Sequence, residues 1–229
     1  MGAATYSISD SAAAITTAFT TGNGGLTAVQ NAVTVDATDN AGLATLTLTD
    51  AQFGNLLTGT SLLAADDTIT VNGAGNTGWV LDNFGGNETL VLSSAGPYFV
   101  GMGTSGTTTL HLGGTGNHTI GADDAGALAE TFILDAAQNG GSTITGLTAG
   151  DMIDIDGANA IAALVAGVSG AGTTGVGGVA GVVDVATEWS FASSTLTYWN
   201  DVANAAHTLT LTGTIGSLTM AGGDTFTVG

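Results

Sequence analysis

The side chains best suited to chemistry in this sequence are carboxylates, and they come in short clusters. These are Asp66 and Asp67, Asp82 with Glu88, Asp123 and Asp124, and the alternating run Asp151, Asp154 and Asp156. Ionised carboxylates are hard oxygen donors, the kind of ligand from which Ca²⁺ gathers about 6–8. Asp154 and Asp156 are two apart, so a strand puts both on one face. Asp123 and Asp124 follow a Gly-rich turn, GGTGN at 113–117, and would offer carboxylates to a cation bridging two coils of chain. Turn, cap or solvated-face roles compete with metal binding at Asp66, Asp67 and the 151–156 run. Asp10 and Asp50 each stand between a β-type stretch and a helical one and are read as helix N-caps, because a first-turn N–H is free to be accepted there.

The remaining chemistry is sparse. His111 and His118 are seven residues apart with no evident third ligand, and both are read, with His207, as polar strand positions. There is no Cys, Lys or Arg. Thiolate, Schiff-base and arginine-clamp chemistry are therefore excluded. No G-x-S-x-G elbow or H-E-x-x-H motif occurs, and no enzyme is expected. A formal charge of −19 leaves nothing to neutralise nucleic-acid phosphates or to hold an anionic membrane. No apolar run reaches the roughly 18 residues of a membrane span. A subunit of this charge repels its own copies, so Ca²⁺ is the expected cofactor and self-association is expected to depend on it.

The elements that must position these residues are short and β-rich. Segments 68–71 (TITV), 79–84, 89–93 (TLVLS), 98–103, 109–112 (TLHL), 118–122, 130–135 (ETFILD), 142–147 and 152–156 (MIDID) alternate apolar with polar or small residues. They start about 9 to 12 residues apart, and two of them make a coil of about 20. The expected fold is mainly β, a short-strand β-solenoid or β-roll-like body or a sandwich, with a few short helices. Residues 1–65 read as a strand–helix module, with strands near 6–9 and 46–49 each followed by a helical stretch. Residues 66–157 read as the body, 158–184 as a short helix and Gly-rich loop, and 185–229 as a closing β module. The N-terminus lacks the basic and apolar regions of a Sec signal.

Gly113–Ile120, GGTGNHTI, resembles the G-G-x-G-x-D-x-U-x repeat of RTX (haemolysin-type) calcium-binding proteins. Gly113, Gly114 and Gly116 match, and His118 stands where the family has Asp. The segment 130–157, ending in the G-D-x-I-D step Gly150–Asp154, is similar to the end of the family's β-roll, with Ser142 and Gly146 in place of common acids. The stretch 191–228 resembles the C-terminal secretion region of such proteins. The resemblance implies a β-roll-like fold, export by a type I secretion apparatus, a secreted or cell-surface location, and calcium at a few sites or between subunits. The function expected from all this is a self-assembling extracellular filament, S-layer or matrix protein, its partner being itself. The alternative is an adhesin or ice-binding module that uses T-x-T strands such as TLTLT at 208–212.

Overall fold

The structure, a computed structural model, describes residues 6–38, 45–59, 62–63, 68–73, 78–81, 89–93, 97–102, 109–113, 117–122, 129–135, 141–155, 164, 167–170, 183, 188–200, 203–220 and 223–229. The chain opens with β1 (Ser7–Asp10), α1 (Ala12–Ala18), α2 (Leu26–Asn31), β2 (Thr34–Ala37), β3 (Thr45–Leu48), α3 (Asp50–Leu57) and β4 (Leu62–Leu63). The body follows as β5 (Thr68–Val71), β6 (Gly78–Val80), β7 (Thr89–Leu92), β8 (Phe99–Gly101), β9 (Thr109–Leu112), β10 (Thr119–Gly121), β11 (Thr131–Leu134), β12 (Thr143–Leu147) and β13 (Met152–Asp154). The chain closes with β14 (Gly167–Gly170), β15 (Trp189–Ala192), β16 (Thr195–Asn200), β17 (Ala205–Gly213), β18 (Ser217–Met220) and β19 (Thr225–Val228).

Alternate strands of the body go to two different sheets, and within each sheet the body strands are parallel. In one, β3, β5, β7, β9, β11 and β13 run side by side; in the other, β6, β8, β10 and β12 do. Thr68 pairs with Thr89, Thr89 with Thr109, and Thr109 with Thr131, so each coil of chain advances by one strand in each sheet. This is a β-solenoid with few short helices. The sandwich alternative has the same strand spacing but needs antiparallel neighbours, which among the described residues appear only where the C-terminal strands join.

The T-Φ-x-Φ pattern of each strand explains the register. Leu46, Ile69, Leu90, Leu110, Phe132 and Ile153 form one inward file, and Leu48, Val71, Leu92, Leu112 and Leu134 the next. All are buried. Facing them are Trp79, Val100, Ile120, Ile144 and Leu211 from the second sheet, also buried. A one-residue slip would turn every one of these side chains outward, so the burial fixes the pairing.

Both ends of the stack are covered. The helix α1 lies against β3, and α3 lies against β3 and β6, the strands that end the two sheets. Covering a sheet edge in this way removes a template for unwanted pairing. The helices are capped without charge. Gln52 Nε2 donates to the Thr16 carbonyl and Asn55 Nδ2 to the Phe19 carbonyl, satisfying acceptors near the end of α1 where a cationic side chain would otherwise serve. At the other end, β17 joins β12 in parallel, and β15–β16–β17 form antiparallel pairs. The strand β19 joins β13 antiparallel, with β18 and β14 beyond it.

The expected N-caps need correction. Thr49, not Asp50, caps α3. Its hydroxyl accepts the Gln52 N–H and Gln52 Oε1 accepts the Thr49 N–H, a closed capping box. Asp50 is the first helical residue. Ser11, not Asp10, caps α1, and Asp10 instead accepts the Ser11 N–H at 2.7 Å. In both places the hydroxyl residue has the extended backbone that a cap requires. Of the segment 158–184, Gly167–Gly170 forms β14, and Leu164 bridges Gly223.

Candidate functional site

Of the nine candidate metal ligands, Asp66, Asp67, Asp82, Glu88, Asp123, Asp124 and Asp156 lie outside the described residues. By sequence they fall beside or between body strands: Asp66 and Asp67 just before β5, Asp82 and Glu88 between β6 and β7, Asp123 and Asp124 between β10 and β11, Asp156 after β13. Asp151 and Asp154 are described, and the structure puts them on opposite sides of the sheet. Asp151 faces inward and is fully buried, whereas Asp154 is half-buried on the outer face, aligned with Ile133 and Thr225. Among the described residues, no group of three or more His, Asp or Glu side chains gathers to hold a metal.

Asp151 has a different task. Its Oδ1 accepts the Glu130 N–H at 3.0 Å, and its Oδ2 accepts the Thr148 N–H at 2.8 Å. Glu130 stands one coil earlier, just before β11, as Asp151 stands just before β13. At this corner the chain enters a strand, and a side chain from the next coil supplies an acceptor for the incoming N–H. Asp151→Ala leaves the buried Glu130 N–H and the half-buried Thr148 N–H without this acceptor and is expected to cost about 1–3 kcal/mol, mostly from the former. Denaturant melts should show the same loss in Ca²⁺ and in chelator; a loss seen only with Ca²⁺ would return Asp151 to the metal ligands.

The second sheet repeats this device with other residues. His118 Nδ1 accepts the Tyr98 N–H at 3.2 Å, and Ser142 Oγ accepts the His118 N–H at 3.0 Å. Tyr98, His118 and Ser142 are one file, each preceding its strand β8, β10 or β12. All three are fully buried. The rings stack as well. Phe53 meets Trp79 edge-on at 4.7 Å, Trp79 stacks on Tyr98 at 5.1 Å, and Tyr98 stacks on His118 at 5.5 Å. The column runs from α3 through three successive coils.

The polar strand position expected for His118 is therefore corrected: its imidazole is in the core. Burial pushes its pKa below the usual imidazole value, an effect that the Gly113 carbonyl partly offsets. His207 is also buried, edge-on to Tyr198 and beside Asn200. Only His111 sits at a surface strand position, where its Nε2 lies 2.5 Å from Asp135 Oδ1 of the next coil. The three imidazoles thus have separate surroundings. Ser142 and Gly146 have structural roles. Ser142 supplies the acceptor for His118, and Gly146 has φ of +80°, which disfavours any side chain.

One more arrangement is regular enough to meet a ligand. Thr45, Thr68, Thr89, Thr109 and Thr131 form a single outward file across five adjacent strands of the nine-stranded sheet, β3 to β11. Neighbours in it are about 4.8 Å apart, the separation of paired strands. No protein family, curated protein or solved structure matches this chain. The reading of function rests on the residues themselves.

Proposed function

We propose that this protein is a secreted structural subunit that assembles with copies of itself into an extracellular filament, S-layer or matrix, with Ca²⁺ bridging carboxylates. One observation carries the reading: 19 acidic residues with no Lys or Arg to balance them. Such a subunit has no cationic side chain with which to pair across an interface, so close packing of copies leaves repulsion that mobile cations must remove. Divalent ions held by carboxylates do this far better than a screening atmosphere. The seven candidate ligands beside or between body strands recur along the solenoid, which suits repeated bridging. The RTX-like segments support export by a type I apparatus and a life outside the cell. A capped solenoid built on main-chain ladders suits a load-bearing role.

The expected result is monomer in chelator and polymer in Ca²⁺. Half-assembly should fall at about 10⁻⁴–10⁻³ M Ca²⁺, the range of extracellular calcium modules. Light scattering and negative-stain microscopy read it, and identical particles with and without chelator would sink the calcium bridge. The Thr file favours a second reading, a surface- or ice-binding module. That module needs neither Ca²⁺ nor assembly, so thermal hysteresis in the chelated monomer would tell the two apart.

A further inference from the structure

His118 is the best-sealed imidazole of the chain, 1% exposed between the two sheets. Its Nδ1 accepts a backbone N–H, and a nitrogen that accepts carries no proton. The fold therefore selects the neutral ring with its hydrogen on Nε2. The groups brought against the ring are the Tyr98 ring and N–H from the coil before, backed by Trp79, while the Ser142 hydroxyl from the coil after accepts the His118 backbone N–H. The Gly113 carbonyl is the group that favours a proton there, and burial outweighs it. The Tyr98 phenol is the titratable group in that set. No carboxylate is bonded to His118 among the described residues, in contrast to His111, which has Asp135.

We infer that His118 is an acid-sensitive latch between coils: protonation at Nδ1 replaces an acceptor with a donor facing the Tyr98 N–H, and the coils of the seven-stranded sheet come apart there. The loss is local in origin but spreads, because the same file carries the His118–Ser142 bond and the aromatic column. This latch does not depend on calcium or on assembly. The direction follows from linkage. The unfolded chain binds the proton near pH 6.5, and the folded chain does so only at lower pH. Stability is complete above 6.5 and is lost as pH falls below it, by at most tenfold in the folding constant per pH unit for one proton.

Denaturant titrations from pH 7.5 to 5.0 on the wild type and His118→Asn test this. Asn can accept the Tyr98 N–H and does not titrate, while His111 and His207 remain in both proteins. The wild type should lose up to tenfold per unit below pH 6.5 relative to the variant, with the two curves parallel above it. Proton NMR of the wild type gives a second measure that does not need the variant to fold. Its His118 signal should titrate below 6.5, together with loss of the native Tyr98 signals. Parallel curves across the whole range, or a His118 signal that titrates at 6.5 or above with the native spectrum intact, would overturn the latch.

Discussion

Trp79→Ala is expected to lower the free energy of unfolding by about 3–5 kcal/mol, the range for removing a large buried aromatic ring. Trp79 lies on β6, the last strand of its sheet, and its ring is held between Phe53 of α3 and Tyr98 of the next coil. Alanine there empties the space between the helical module and the body. It also removes two ring contacts, each worth about 0.5–1.5 kcal/mol beyond burial. The substitution should therefore loosen α3 as well as weaken the whole fold. Chemical denaturation followed by circular dichroism measures the total, and hydrogen exchange at Phe53 and Leu56 reports the helix. Phe99→Ala, on the exposed side of the neighbouring strand, is the control and should change stability by only about 0.5 kcal/mol. Equal effects of the two substitutions would show that the aromatic column does not hold the cap to the body.

Gly213→Ala is the second large expected effect, about 2–5 kcal/mol. Gly213 ends β17 opposite Leu147, where the register of β12 shifts between Ile144 and Leu147. Its φ is +147°, and a Cβ would fall inside the backbone of Leu147. Backbone cannot swing away as a side chain can. The substitution adds overpacking of about 1–3 kcal/mol to a backbone strain of about 1–2 kcal/mol. Relief requires β17 to leave β12, so protection from exchange should fall first at Thr210 and Thr214, whose N–H groups donate to the Ser142 and Leu147 carbonyls. A melt unchanged within about 0.5 kcal/mol would contradict this docking of the C-terminal strands.

Much of the architecture is legible in the sequence because the pattern of each strand is strict. Each alternating segment from 68 to 156 contributes a strand of the body, shifted by a residue or two at its ends, except 79–84, of which β6 takes 79 and 80 and residues 82–84 lie outside the described residues. Spacing alone leaves solenoid and sandwich open, because local pattern encodes which side of a strand is buried but not which strand lies next to it. Three elements carry no such signal. The helix Leu26–Asn31 is short and starts at Gly25, which has no side chain to cap it. The strand Thr34–Ala37 contains Asp36, and Gly167–Gly170 begins and ends in glycine.

The inward polar residues carry a mixed signal. Asp151 shares strand parity with Ile153 and Ile155, and His118 shares it with Ile120. Period-two reading carried one residue ahead of each strand therefore puts both in the core. Motif likeness points the other way, toward ligands, because Asp in a G-D step looks the same whether it accepts main-chain N–H groups or holds a cation. What separates the two uses is the neighbour one coil away, Glu130 for Asp151 and Tyr98 for His118. Those pairings run across 21 and 20 residues of sequence.

The most direct test of the cation-bridged subunit is sedimentation velocity of the whole chain at fixed ionic strength. One sample holds millimolar Ca²⁺, and the other holds chelator with added K⁺ to match. Screening is then equal, and only the divalent bridge differs. The account predicts large assemblies with Ca²⁺ and a single 22.1 kDa species without it, reversibly. A monomer in both samples, or the same assemblies in both, would contradict it.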